Sequence, residues 1–431
     1  MNAQERKAAL QNLKENSNPC MTGIPLVYHG ERQTFDAYRI PLDFLVYNPY
    51  NGRIGSIVKS YERQNHTLDV ENPEDIKIIE KFLWESKEDA NKKTRQSLLE
   101  DQQQKFGIVT AEGVIIDGNR RASLLNSIRR DDKIAPNVKQ HCEYFTAVIL
   151  PIDADRKEIL RLETTFQMGE DAKVDYNPIE KYLKCQDLKD EGFTEKEIAS
   201  FMGDSKSNVE MYLAVLKLMN EYLNNYHYDG MYTLLDKNED SFQKLNAALK
   251  GYKSGSVSCM WDFDPEVDTT DLKLIAFDYI RFGFDQTAFR DIIRKPTAAN
   301  PNASFFGCKD VWEDFRDTHF AKVDPITDAE ESVEAILNNG VGGDITRKLR
   351  NRDKQWHDKV SPIIQENFGK SRNKLDNKNA ADNPMKLLQK ALDALVDVDT
   401  EQDSFKNDPD VYECIKEIGR VIWEYKKLLE K

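Results

Sequence analysis

The segment GVIIDGNRRASLLNSIRRD, residues 113 to 131, constrains the fold more than any other stretch of the chain. The β-branched run Val114, Ile115 and Ile116 reads as a short buried strand, Asp117-Gly118 as a tight turn, and Leu124, Leu125 and Ile128 as one face of a helix. Strand, glycine turn and helix in that order leave free backbone N–H groups at the helix start, where phosphate binds readily. Arg120 and Arg121 add charge-assisted, bidentate donors for phosphate oxygens. Taken alone, the same five residues read equally well as a plain turn followed by two surface arginines.

The alternation continues on both sides. FDAYRIPLDFLV, 35 to 46, favours a strand and NPYNG, 48 to 52, a turn; residues 73 to 106 carry two helices, FTAVILPI at 145 to 152 a buried strand, and 156 to 167 a helix. Residues 1 to 18 read as a helical lead-in and 19 to 30 as short extended pieces. The region is therefore α+β or α/β. Asn177-Pro178 then opens a helix with Ile179, Tyr182, Leu183 and Leu188 on its apolar side, stopped by Gly192. Thr194 and Glu197 form a capping box for the next helix, and Ser205 starts another that runs through Leu218. Ile198, Ala199 and Met202 face Val209, Tyr212, Leu213 and Leu216 across a turn at Gly203-Asp204, which is a helix-turn-helix pattern. Lys206, Ser207 and Asn208 are left at the exposed start of the second helix, where base edges and phosphates are met. Asp204 and Glu210 flank them, so a helix-turn-helix kept as scaffold is the competing reading.

Bulk properties exclude several classes. At 431 residues two or three domains are expected. Six cysteines without a CxxC pair and six dispersed histidines argue against a disulfide framework or zinc site, and no GxxxxGK[ST] loop occurs. The N-terminus lacks an apolar targeting segment and no apolar stretch reaches membrane-spanning length, so a cytoplasmic, non-membrane protein is expected. A net charge of -14 counts against nonspecific coating of DNA, which leaves local, salt-sensitive contact.

Four blocks between residues 40 and 219 resemble, in order, the ParB/sulfiredoxin superfamily. IPLDFLVYNPYNGRI, 40 to 54, is similar to the family's strand running into Asn-Pro-x-x-x-Arg, here Asn48, Pro49 and Arg53. DGNRR, 117 to 121, resembles its phosphate motif; LETTFQ, 162 to 167, resembles Glu-Asn-x-Gln-Arg; and YNPIEKYLKCQ with the helix-turn-helix resembles the block that follows. ParB proteins bind CTP with magnesium, and the nucleotide gates a DNA clamp. The resemblance implies Gly118, Asn119, Arg120, Arg121 and Arg53 as phosphate or nucleotide contacts, Gly107 and Thr110 as a nucleotide-side loop, and Glu163 as a magnesium ligand. Asn119 stands where the family has a glutamate associated with hydrolysis and cannot act as a general base, so hydrolysis is expected to be slow or absent. Thr164 replaces the family's metal-facing Asn, and extra residues around 169 to 173 bring Glu170 and Asp171 as further acids. The reactive cysteine of sulfiredoxin has no counterpart near Asp117.

The expected organisation is an N-terminal extension at 1–34, a ParB/sulfiredoxin-like nucleotide-binding domain at 35–168, a helix-turn-helix domain at 169–220, a helical region at 221–368, a linker at 369–384 and a helical pair at 385–431. The expected function is a switch that binds a nucleoside triphosphate (CTP favoured, ATP second) with magnesium and acts on DNA in partition or phage-conflict biology. The expected assembly is a homodimer, with the C-terminal helices available to a protein partner. The second reading is a metal-dependent nuclease, nucleotide hydrolase or phosphotransferase, with Glu163 and Asp117 as its catalytic carboxylates.

Overall fold

A computed structural model describes residues 1–169, 177–257, 261–339, 343–380 and 384–430. Within them lies a mixed α+β protein with one five-stranded sheet and many helices. The strands are β1 (Met21–Tyr28), β2 (Glu31–Pro41), β3 (Gly107–Val109), β4 (Ile115–Asp117) and β5 (Tyr144–Ile149), in the order β1-β2-β5-β3-β4. Only the β3–β5 pair is parallel. Helices α1 (Ala3–Asn16), α2 (Gly55–Gln64), α3 (Pro73–Glu85), α4 (Glu88–Asp101) and α5 (Asn119–Arg130) share one core with the sheet, which includes Ile40, Ile79, Leu125 and Phe145. After the short α6 (Pro136–Lys139), α7 (Arg156–Thr164) contributes Leu162 to a second cluster with Ile24, Ile108 and Val148.

Beyond it, α8 (Pro178–Asp190), α9 (Glu195–Met202) and α10 (Lys206–Asn225) form the helix-turn-helix region. Both expected caps are present: the Thr194–Glu197 capping box on α9 and the Ser205 side chain on α10. Gly203 turns the chain at φ 61°, a left-handed conformation that costs glycine little. α11 (Glu239–Lys253), α12 (Val267–Phe282), α13 (Gln286–Ile293), α14 (Lys309–Asp328), α15 (Val333–Asn339) and α16 (Gly343–Asn379) complete the helical part. One buried cluster runs from Met168 to Leu375 and includes Val215, Met219 and Tyr222 of α10. The boundary expected at 220/221 thus falls inside α10 and inside a continuous core.

Two sequence expectations are corrected. The stretch 369–379, read as linker, continues helix α16, because its polar composition hides Phe368, Ser371 and Leu375, all buried at helical spacing. Lys374 and Lys378 of the same stretch pair with Asp314 and Asp310 on α14. Gly107, read as part of a loop, lies in β3 instead. At the C-terminal end come α17 (Pro384–Val396), α18 (Asp403–Asn407) and α19 (Pro409–Leu429); Leu388, Leu392, Ile415 and Ile422 on α17 and α19 are exposed. Among the described residues no helix is long and apolar enough to cross a membrane.

Candidate functional site

The Asn48–Ser56 turn is where the four sequence blocks meet. Asn119 Oδ1 accepts from the Asn48 backbone N–H at 2.8 Å, while Asn119 Nδ2 donates to the Ile115 carbonyl at 2.9 Å. Gln167 Oε1 accepts from the Gly52 N–H at 3.1 Å, and Gln167 Nε2 donates to the Ile116 carbonyl at 2.9 Å. From the fourth block, Glu180 takes the Ser56 N–H at the start of α2. Buried polar groups need partners, and here each block supplies those of another.

Gly118 precedes α5 at φ 103°, with no side chain capping the helix. Its glycine is also needed sterically: a Cβ there would lie 2.5 Å from Phe145 Cζ. Gly107 sits under the same ring, and a Cβ on it would lie 2.7 Å from the Asp117 carbonyl. Arg121 is taken up by the scaffold, donating to the Lys105 and Phe106 carbonyls and to Asp117 Oδ2 at 2.7 Å. Asp117 is therefore engaged with Arg121. Arg120 and Arg53 are half-buried on the first turn of α5 and beside the Asn48 turn.

A cavity of about 610 Å³ opens beside this junction. Thr110 and Glu163 line it together with Asn48, Lys59, Lys184 and Asp187, whereas Gly107, Gly118, Arg120 and Arg121 do not. Thr110 stands at the β3–β4 turn, its hydroxyl oxygen accepting from the Val114 N–H at 3.1 Å. One wall is apolar, with Val114, Ile116, Ile159 and Leu160. The size falls in the range of small-molecule sites, about 300–1,000 Å³.

At the polar end Lys184 Nζ lies 3.0 Å from Glu163 Oε2, each side chain only 3% exposed. Asn48 Nδ2 approaches the other carboxylate oxygen at 3.5 Å. Burial pushes the Glu163 carboxyl up, against the pull of Lys184. Sequence reading missed Lys184. It lies one helical turn from Glu180 on α8, and the burial of both shows only once that helix is packed.

The expected magnesium does not fit these residues. A divalent cation at Glu163 would face a buried ammonium that already neutralises the carboxylate. Thr164 is fully buried and donates its hydroxyl to the Leu160 carbonyl at 2.8 Å. Among the described residues no three His, Cys, Asp or Glu side chains are grouped to hold a metal. Glu170 and Asp171 lie outside the described residues.

Lys206, Ser207 and Asn208 are exposed at the start of α10, and Lys206 pairs with Glu210 at 3.0 Å. Asn208 donates to Asp204 at 2.6 Å. No protein-family model matches the chain. Curated proteins likewise give no match.

Proposed function

We propose that this protein is a nucleotide-responsive, ParB-like DNA-binding switch. The observation that carries the reading is the shared cavity wall: Asn48, Thr110 and Glu163 come from the sheet region, Lys184 and Asp187 from α8, the helix leading into the helix-turn-helix. A ligand touching both sides favours whichever arrangement it fits better and so biases how α8 sits against the sheet. The exposed start of α10 offers a local contact for the major groove, and the acidic chain keeps that contact modest and salt-sensitive. The start of α5 is coupled to the same wall, because Asn119 ties that helix to Asn48.

The test is equilibrium binding of cytidine, adenosine and guanosine nucleotides to wild type and to Asn48→Ala, with and without duplex DNA. Binding of one nucleotide family, weakened about tenfold in the variant and reciprocally altered by DNA, supports the switch. If no nucleotide binds, the reading fails.

A further inference from the structure

The charges around the cavity balance. Lys59, Arg156 and Lys184 stand against Glu112, Glu163 and Asp187. Lys184 is paired with Glu163 at 3.0 Å and Lys59 with Asp187 at 3.8 Å, while Arg156 reaches out of the cavity to Glu191 at 2.7 Å. A triphosphate brings several negative charges that such a neutral lining cannot offset, and Glu163, the carboxylate expected to hold a compensating cation, is occupied by an ammonium. A monophosphate brings only about -1.5 to -2 charges at neutral pH. The ammonium groups of Lys184 and Lys59 each have three N–H donors, so a phosphate oxygen can share them while the pairs with Glu163 and Asp187 are kept.

We infer that the ligand of this site is a nucleoside monophosphate held without a divalent metal, with Lys184 as the resident cation. The inference rests on the nucleotide reading above and names its ligand class. Lys184 lines the cavity and is held in place by burial, so little side-chain freedom is lost on binding. The apolar wall of Val114, Ile116, Ile159 and Leu160 would take the base and sugar. Ile152, 70% exposed at the rim, would be covered by the same ligand.

Isothermal titration of wild type with CMP, AMP and GMP and with CTP, ATP and GTP, each in magnesium and in EDTA, tests it. The expected result is one monophosphate bound about tenfold more tightly than its triphosphate, with the same affinity in EDTA. A triphosphate that binds more tightly, or any nucleotide binding that requires magnesium, overturns this inference and leaves the nucleotide reading intact; absence of all binding overturns both. Lys184→Met alone would strand a buried carboxylate, so the variant is Glu163→Gln/Lys184→Met, which leaves the core neutral. Loss of monophosphate binding with a cooperative melt supports the role of Lys184, and undiminished binding overturns it. The wild-type comparison stands whether or not the variant folds.

Discussion

The carboxylate of Glu180 accepts from both the backbone N–H of Ser56, at 2.8 Å, and its hydroxyl, at 2.6 Å, so α8 caps the start of α2 from 124 residues away. Gly55 leaves room for it, since a Cβ there would lie 3.1 Å from Glu180 Oε2. Glu180→Ala is expected to lower unfolding stability by about 3 kcal/mol, because two buried donors lose their partner. Glu180→Gln, which keeps one acceptor, should lose less. Urea unfolding of the two variants checks the order.

Gly107→Ala and Gly118→Ala should each destabilise by about 1–3 kcal/mol through overpacking against Phe145, with a further ~1 kcal/mol at Gly118 for its left-handed backbone. Phe145→Leu should relieve part of the penalty in both. A double-mutant cycle on melting data reads this coupling.

Several elements were legible in the sequence because one local rule governs each. Examples are the run that became β5, the capping box of α9 and the Gly118 turn into α5. β1 was read only as short extended pieces, since its burial alternates while Gly23 and Pro25 interrupt the pattern. At the site, the resemblance of DGNRR to a phosphate motif marked Asn119 and Arg121, but no local pattern tells a ligand contact from a scaffold bond. Asn119 and Arg121 proved to be tied into the scaffold. Lys184 was illegible because its burial depends on two packed regions meeting around α8.

That distinction separates the two arginines experimentally. Arg121→Ala should lower thermal stability, by about 1–3 kcal/mol, by cutting α5 loose from the Phe106 carbonyl and Asp117. Loss of ligand binding in an Arg120→Ala/Arg121→Ala double variant is therefore informative only beside the Arg120→Ala single variant and a melting curve.

Acid should weaken the turn between α9 and α10. Burial works against ionisation of Asp204, but donors from Lys181, Asn208, Tyr212 and the Ser205 N–H outweigh it and hold the carboxyl below the usual carboxylate range. Its folded value lies below the unfolded one, so its contribution is fully present above about pH 4 and is lost as pH falls further. Asp204→Asn should be less stable at neutral pH and show a flatter decline below about pH 4. Denaturant midpoints measured across that range give the slope.

On α17, Met385, Leu388, Leu392 and Leu395 recur at three- and four-residue steps and are exposed, as are Ile415, Ile422 and Tyr425 on α19. Such seams favour self-association. Light scattering should give a mass above that of the 49.8 kDa chain, and Leu388→Glu/Leu392→Glu/Ile422→Glu should return the monomer. Unchanged mass in that variant would place any dimer contact elsewhere.

The first turn of α10 is exposed, while its later residues Val215, Met219 and Tyr222 are sunk in the same core as Trp312 and Trp356. The exposed end of α10 is thus a cantilever fixed in the body of the protein. In evolutionary terms the α9–α10 pair is not a cassette: recombination that cut the gene after residue 220 would sever α10 five residues before its end and leave its apolar side bare. Descendants of this chain are expected to inherit the α9–α10 pair and its helical anchor together or lose both.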